Sequence, residues 1–354
     1  MRRFIVILLM VAAIGAALFW LFSKSQETMS EVLMDSSMGT AVVIPGAAAR
    51  IPQEAALLEE LDRTGQLEHV VFISGVSSGA LNAVMLNAIL SGKYTWERYR
   101  RLLFNLRNED IFINYGQGLP VDTKPFRNLM SRILHDSLGY YRMSDLPIPT
   151  SLSVVSLSAA TFGQNTFRLS NININRESDP TLDLLEVLMA STAFPIAFPP
   201  VIINRVTTIP ESKYIDGGSA SDYIPYRAVL DFEQYSAVNV DRMIVVCRKP
   251  DTEAGMREEL RELGLDRVDQ MERFGISLEE LGRSAFKKSL LTLRKDAPLL
   301  ADKTLLYIPD IVKDYPLFDF HSLEEQYLTT FEWAQTHKPV PYNEIVPTLN
   351  ELKK

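Results

Sequence analysis

The sequence is poor in the two residue types that most often hold metal ions or cross-link small proteins. Cys247 is its one cysteine, and its four histidines are widely separated: His69, His135, His321 and His337. A single cysteine excludes an internal disulfide and a cysteine-rich metal site, and the histidine spacing argues against a zinc site. We therefore expect neither a metal ion nor a cofactor.

The chain also lacks an excess of basic charge. It has 36 Lys and Arg against 44 Asp and Glu, which gives a net charge of −8 and argues against nucleic acid as the main ligand. A hydrophobic content of 47% with 23% charged residues excludes a disordered chain. After residue 40 we find no repeat and no Pro/Gly-rich linker. We therefore predict one domain over residues 39–340, followed by a C-terminal tail at 341–354. The sequence does not indicate an oligomeric state.

A long hydrophobic run occurs near the amino terminus. After a stub at residues 1–3, residues 4–22 are uncharged and mostly apolar, and as a helix they would span about 28 Å. A cleaved signal peptide is the alternative, because small residues occur at 12–17, but the bulky residues 18–22 that follow favour an uncleaved transmembrane anchor. Arg2 and Arg3 predict a cytosolic amino terminus, with the domain on the other side of the membrane, in the periplasm if the protein is bacterial. Residues 23–38 are polar and are predicted to form a tether.

Short apolar runs alternate with helical patterns along the rest of the chain. Ala41–Ile44 and Val70–Ile73 have the unbroken apolar character of strands that are buried on both faces. We predict further strands near 152–158, 166–169, 213–216, 242–247 and 304–308, and helices near 52–63, 79–90, 95–106, 123–134, 181–192, 256–271, 277–294 and 322–336. The alternation indicates an α/β fold with a mostly parallel sheet.

The candidate nucleophile is Ser77. It lies at the centre of a Gly-x-Ser-x-Gly motif, Gly75 to Gly79, between an apolar strand and an apolar helix. This is the context in which a serine occupies a sharp strand-to-helix turn with its hydroxyl exposed, and the flanking glycines let the strand and helix approach closely. The alternative is a glycine-rich turn with a helix-capping serine.

A serine needs a base, and the sequence offers two kinds. His321 and His337 occur late enough for a Ser-Asp-His triad, but each adjoins a predicted helix end, where an ordinary structural role accounts for it. Asp216 follows a short apolar strand and precedes Gly217 and Gly218. Its carboxylate would project from the sheet edge that carries Ser77, although Asp-Gly-Gly is also typical of a turn.

Taken together, these residues resemble the patatin-like phospholipases and acyl hydrolases. The segment from Gly75 to Asn82 is similar to the family's nucleophile motif, Asp216–Gly218 to its second catalytic motif, and Ala190–Pro200 to the segment that leads toward the catalytic aspartate. The resemblance covers about residues 40–337. It implies a three-layer α/β/α fold, a Ser77–Asp216 dyad supported by Gly75, Gly79, Gly217 and Gly218, and hydrolysis of lipid esters at a membrane.

The resemblance is incomplete at the expected oxyanion hole. Where the family has three glycines, one variable residue and a basic residue, this chain has Gly46, Ala47, Ala48, Ala49 and Arg50. If φ is negative at Ala47 and Ala48, their amides can donate as well as glycine amides. A strained loop would instead favour the alternative function, a weakly active or inactive lipid-binding or scaffold protein of the same fold.

Overall fold

A computed structural model describes residues 38–113, 118–157, 165–204, 213–236, 238–250 and 283–346 of the chain. The predicted anchor at 4–22 and tether at 23–38 lie outside these ranges, apart from Met38. Within the ranges, no helix combines the length and apolar character that a membrane span requires.

The described residues form a mixed sheet of nine strands. They are β1 Met38–Ile44, β2 Val70–Val76, β3 Thr150–Ser156, β4 Thr166–Ser170, β5 Val201–Ile202, β6 Lys213–Asp216, β7 Asn239–Val246, β8 Thr304–Tyr307 and β9 Val340–Pro341. Hydrogen-bonded neighbours follow the order β5-β6-β3-β2-β1-β7-β8-β9, and β4 also pairs with β3. The central strands β3, β2, β1, β7 and β8 are parallel, whereas β4, β5, β6 and β9 pair antiparallel.

Helices cover both faces of this sheet. They are α1 Ile51–Arg63, α2 Ser78–Leu90, α3 Trp96–Asn105, α4 Asn108–Ile111, α5 Lys124–Ser131, α6 Leu184–Ser191, α7 Arg227–Tyr235, α8 Arg283–Asp296, α9 Pro298–Asp302, α10 Leu323–Ala334 and α11 Tyr342–Ile345. A π-helical turn, Arg132–Leu138, continues α5. The result is the three-layer α/β/α arrangement that we predicted.

Strand alternation divides the core into two layers. Val42 and Ile44 of β1 pack with α1, α2, α3 and α10 on one face, whereas Ala41 and Val43 pack with α7, α8 and α9 on the other. Successive side chains of a strand point to opposite faces, so an unbroken apolar strand serves both layers. This explains why the predicted parallel strands lack a polar face.

The structure differs from the predicted elements in several places. The predicted helix at 256–271 lies outside the described residues, as does the first part of the one at 277–294. The short elements α4, α7, α9, α11, β5 and β9 were not predicted. Beyond the predicted domain boundary at residue 340, Tyr342 and Val346 are buried, and the Tyr342 hydroxyl donates a hydrogen bond to the Leu290 carbonyl.

The pairing of β3 positions the candidate site. Ser151–Ser153 pair with both β2 and β4, and Val154 and Val155 pair with both β4 and β6. A strand has only two edges, so β2 and β6 must share the edge of β3 opposite β4. β2 runs parallel to β3 and β6 runs antiparallel, so their carboxyl ends meet, with Val76 opposite Ser153 and Asp216 opposite Val154.

Candidate active site

Ser77 occupies a sharp turn between β2 and α2. Its φ of +58° and ψ of −135° lie outside the regions that most residues adopt, and such a conformation costs about 1–3 kcal/mol. The two motif glycines allow the turn. A Cβ on Gly79 would lie 2.0 Å from the Pro45 carbonyl oxygen, and one on Gly75 would lie 2.6 Å from the Gly79 carbonyl oxygen. Both glycines are therefore required by close backbone contacts.

Hydrogen bonds from outside the motif hold this strained turn. The Ser77 amide donates to Ser191 Oγ at 3.0 Å, and the Ser191 hydroxyl donates to the Ser153 carbonyl at 2.8 Å. Ser191 is buried at the end of α6. The sequence analysis included it only within a segment of family resemblance, because no sequence signal distinguishes such a long-range bridge from an ordinary buried serine.

Asp216 lies beside Ser77, where the carboxyl ends of β6 and β2 meet. Its carboxylate accepts a hydrogen bond from the Gly218 amide at 2.8 Å, and the Ser77 side chain is near enough to lower its pKa. A Cβ on Gly217 would lie 2.5 Å from the Ser153 carbonyl oxygen, so that glycine also allows a close approach. The structure therefore brings together the two residues of the predicted dyad. Their catalytic roles stay a prediction at this point.

The environment of Asp216 changes its acidity. The side chain is 3% exposed, and burial raises the pKa of its carboxyl to about 7, although hydrogen bonds from Ser77 and Gly218 act in the opposite direction. Removing a carboxylate from water disfavours its charged form. A carboxyl with a pKa near neutrality can both accept and return a proton at physiological pH.

The loop after β1 lies against Ser77. A Cβ on Gly46 would lie 2.8 Å from Ser77 Cβ, so glycine is required there. Ala47 has a negative φ of −131°, but Ala48 has a φ of +48°. The condition of negative φ is therefore met at Ala47 and not at Ala48. Left-handed backbone brings the alanine Cβ too close to the following carbonyl, at a cost of about 1–2 kcal/mol.

Most amides of the predicted hole already have partners. The Ala47 amide donates to Ser78 Oγ at 2.8 Å, the Ala49 amide to the Leu317 carbonyl, and the Arg50 amide to the Ala47 carbonyl. The Ala48 amide is bonded to no acceptor in the described part of the chain. The Ser78 amide, in the first turn of α2, has no partner within the helix. Of the alanine amides predicted for the hole, only that of Ala48 therefore stays available, and Ser78 supplies a donor that the prediction did not include.

Arg50 has a structural role in the loop after β1. Its side chain is buried, and its Nε donates to the Tyr315 carbonyl at 2.7 Å. This contact, with the bond between Ala49 and Leu317, ties the loop after β1 to residues 308–322. That second loop carries Phe318 and Phe320, which line the cavity next to Ser77.

Ser77 opens into a large apolar cavity. The empty volume is about 800 Å³, including the part open to solvent, and the wall contains no charged side chain and no histidine. Its polar side chains other than Ser77 have partners: Tyr99 donates to Asn82 Oδ1 at 2.6 Å, and Thr192 donates to the Leu188 carbonyl at 2.8 Å. Ser78 Oγ accepts from Ala47, as described above. The cavity thus suits an apolar ligand.

None of the four histidines, all in the described part of the chain, is a lining residue of this cavity. His135 stacks on Tyr141, and His337 stacks on Trp333 at a centroid distance of 4.3 Å. In the ranges that the structure describes, no three His, Cys, Asp or Glu side chains are grouped so as to hold a metal ion.

A buried polar network that the sequence analysis missed supports α2. Asn82 donates to Glu54 Oε2 at 3.0 Å and to the Ile51 carbonyl, and it accepts from Tyr99. Burial holds the pKa of Glu54 well above its usual range, against a hydrogen bond from Asn82 and the charge of Arg248. Because the network joins α1, α2 and α3, it fixes the position of α2, the helix that follows Ser77.

We expect Ala48→Gly to stabilise the protein by about 0.5–1 kcal/mol, because glycine removes the left-handed strain at the cost of some backbone entropy. Turnover should change only a few-fold, since the Ala48 amide keeps its position. Ala49→Gly is the matched control, because Ala49 is buried without positive φ and glycine there should destabilise by about 1 kcal/mol. Urea unfolding measures both. Destabilisation by Ala48→Gly would contradict the strained geometry.

We expect Asp216→Asn to stabilise the protein above neutral pH and to have little effect near pH 4. As pH rises from about 3.9 to about 7, the unfolded chain loses this proton while the folded carboxyl keeps it, so wild-type stability falls across that window. The asparagine side chain of the variant does not titrate, so the variant avoids this loss of folding stability, which we put at about 2–4 kcal/mol. Urea unfolding at pH 5 and pH 8 tests this, with exposed Asp136→Asn as control. A gain in stability of Asp216→Asn over wild type that does not change with pH would refute this prediction.

Comparison with known proteins places this site in a family. The family model described as patatin-like phospholipase matches residues 42–230, more than half of the chain, and includes both Ser77 and Asp216. No curated protein sequence matches the chain.

Solved structures give weaker similarity. VipD from Legionella pneumophila is 13% identical with a TM-score of 0.47, over 84% of this chain and 67% of VipD. Human GIVD cytosolic phospholipase A2, in complex with methyl gamma-linolenyl fluorophosphonate, is 12% identical with a TM-score of 0.35, over 87% of this chain. The type III effector ExoU is 11% identical with a TM-score of 0.32, over 89% of this chain. The chain spans 60% of the phospholipase A2 and 56% of ExoU. On the family match, the chain belongs to the patatin-like phospholipases, a family of lipid acyl hydrolases.

Proposed function

We propose that this protein hydrolyses carboxylic esters of lipids, with Ser77 as the nucleophile and Asp216 as its base. The observation that carries the proposal is the meeting of Ser77 and Asp216 at adjacent strand ends beside an apolar cavity, with the Ser77 side chain near enough to lower the pKa of Asp216. A buried carboxyl with a pKa of about 7 is matched to proton transfer with a serine hydroxyl at neutral pH. Because its wall is apolar, the cavity is suited to bind the acyl chain of the substrate.

In the first half of the reaction, Ser77 Oγ attacks the ester carbonyl carbon while Asp216 takes the hydroxyl proton. The carbonyl oxygen becomes an oxyanion, and the amides of Ala48 and Ser78 are the donors available to stabilise it. Collapse of this intermediate breaks the bond to the alcohol. Asp216 returns its proton to the departing alkoxide, and the acyl group stays on Ser77.

In the second half, Asp216 takes a proton from water, whose oxygen attacks the acyl carbonyl. The second oxyanion uses the same donors. When it collapses, the bond to Ser77 Oγ breaks, the serine recovers its proton from Asp216, and the fatty acid leaves. The leaving alcohol is the remainder of the lipid, which carries the head group, so the apolar cavity holds only the acyl part.

A second candidate function is lipid binding without turnover. The observation that favours it is the positive φ of Ala48, together with the engagement of the Ala47 amide by Ser78. Loss of one oxyanion donor costs about 10²–10³ in turnover in other hydrolases. A protein with an incomplete hole would bind the acyl chain yet hydrolyse it slowly.

Substitution and active-site labelling separate these functions. Wild type should hydrolyse acyl esters and react with a fluorophosphonate probe, whereas Ser77→Ala and Asp216→Ala should each lose about 10⁴-fold or more in turnover. Ser151→Ala is the control, because Ser151 is a buried β3 serine outside the cavity and should keep full activity. Activity should rise with pH through about 7, as Asp216 loses its proton. Full activity in Ser77→Ala would refute the proposal, and a wild type that neither turns over nor labels would favour lipid binding.

We also propose that residues 4–22 anchor the protein in a membrane, with the domain on the side away from the cytosol. The apolar length of the segment and the preceding arginines support this. The full chain should stay with membranes after alkaline carbonate extraction, whereas a chain beginning at Met38 should be released. Release of the full chain at the size of a shortened product would instead indicate a cleaved signal peptide.

A further inference from the structure

Three helices contribute regular stripes of residues to the cavity wall. On each helix the lining residues recur at intervals of three or four, so they share one face. From α2 they are Ser78, Leu81 and Met85, from α3 Tyr99, Leu102 and Leu103 with Leu106 just after its end, and from α5 with its π-helical turn Phe126, Leu129, Met130 and Ile133. Each stripe spans seven residues and therefore about 10.5 Å.

The length of the cavity from Ser77 follows from the rise of helix α2. It begins immediately after Ser77, and its lining residues follow at Ser78, Leu81 and Met85. At 1.5 Å per residue, Met85 lies about 12 Å along the helix from Ser77. An extended hydrocarbon chain with bonds near 1.52 Å and angles near 111° advances about 1.25 Å per carbon. A chain of about ten carbons therefore reaches from Ser77 to Met85.

The wall formed by α2 ends at Met85. The next residues on this face of the helix are Ala88 and Ile89, and neither lines the cavity. Met85 is 3% exposed and belongs to the hydrophobic core beneath the sheet. An acyl chain that follows α2 therefore reaches the Met85 side chain, the last residue that this helix contributes to the cavity wall.

We propose that Met85 sets the acyl-chain specificity of this protein by closing the cavity about ten carbons from Ser77. The proposal rests on the proposed function, because it takes the acyl carbonyl to be held at Ser77. Leu81 lies half-way along the same wall and would limit the chain earlier if its side chain were enlarged. Chains longer than about ten carbons must bend or leave their ends outside, which forgoes burial of the added methylenes.

A series of p-nitrophenyl esters from butanoyl to hexadecanoyl tests the proposal. Wild type should have its highest kcat/KM near the decanoyl ester. Met85→Ala removes three heavy atoms from an unbranched side chain and should move the optimum to chains about three carbons longer. Leu81→Phe should move the optimum below the octanoyl ester. An optimum that neither substitution moves would overturn the proposal, and fluorophosphonate labelling would then show whether the hydrolase itself is intact.

Two variants control for loss of packing. Leu86→Ala removes a comparable buried side chain from the next position of α2, but Leu86 does not line the cavity. It should cost about 2–5 kcal/mol in stability and leave the preferred chain length unchanged. Met85→Leu keeps most of the volume and should keep the optimum within about two carbons. A shift in Leu86→Ala equal to that in Met85→Ala would assign the effect to general loosening and overturn the proposal.

Fatty acid binding to the Ser77→Ala variant gives a readout that is independent of turnover. Affinity for saturated fatty acids should rise by about fourfold per methylene and stop rising near ten carbons. In Ser77→Ala combined with Met85→Ala, the rise should continue for about three more carbons. If this pattern appears while wild type hydrolyses no ester, the specificity proposal stands and the proposed hydrolase function falls. An affinity that rises evenly to hexadecanoic acid in both proteins overturns the specificity proposal.

Discussion

The meeting of β2 and β6 on one edge of β3 is the constraint on which the candidate site depends. Ser153 lies at the junction. Its backbone pairs with Val76, and its carbonyl accepts the Ser191 hydroxyl while lying close to the Gly217 backbone. Ser77 directly follows the last residue of β2, and Asp216 is the last residue of β6. Because both strand ends pair with β3 here, movement of β3 at Ser153 would separate Ser77 from Asp216.

A buried ion pair holds that junction from the side. The Ser153 hydroxyl donates to Asp222 Oδ2 at 2.8 Å, and Arg168 donates to both Asp222 oxygens at 2.8 Å. Asp222 is fully buried, so its charge is tolerable only because it is paired and hydrogen-bonded. Asp216 differs because no cation in the described part of the chain acts on it, and burial raises its pKa to about 7. The fold thus holds a salt-bridged aspartate that supports the junction and a titratable one next to Ser77.

The sequence predicts the parts of the site that are local. Short apolar strands, the glycine spacing around Ser77 and the strand that ends at Asp216 all follow from patterns within a few residues. The antiparallel direction of β6, the bridge through Ser191 and the left-handed Ala48 depend on contacts with distant segments. The cavity is also invisible in the sequence, because stripes such as Leu81 and Met85 have the spacing of ordinary core residues. Whether such residues meet or leave space between them is decided by how the helices pack.

Backbone strain in the described chain is concentrated around this cavity. The non-glycine residues with positive φ there are Ala48, Ser77 and Ile196. Ala48 and Ser77 line the cavity, and Ile196 lies between Phe194 and Phe198, which also line it. Each costs about 1–3 kcal/mol, and a left-handed isoleucine is especially unfavourable because it is branched at Cβ.

A passive apolar pocket needs none of these conformations, because side-chain packing alone can form one. A reacting site does, since a nucleophile and oxyanion donors must be held in positions that relaxed backbone does not supply. The hydrogen bonds of Ser77 to Ser191, of Ala49 to Leu317 and of Phe198 to the Phe194 carbonyl hold the three strained segments in place. Strain at Ser77, the proposed nucleophile, therefore supports a site built for chemistry, whereas the strain at Ala48 is the observation that favours lipid binding without turnover.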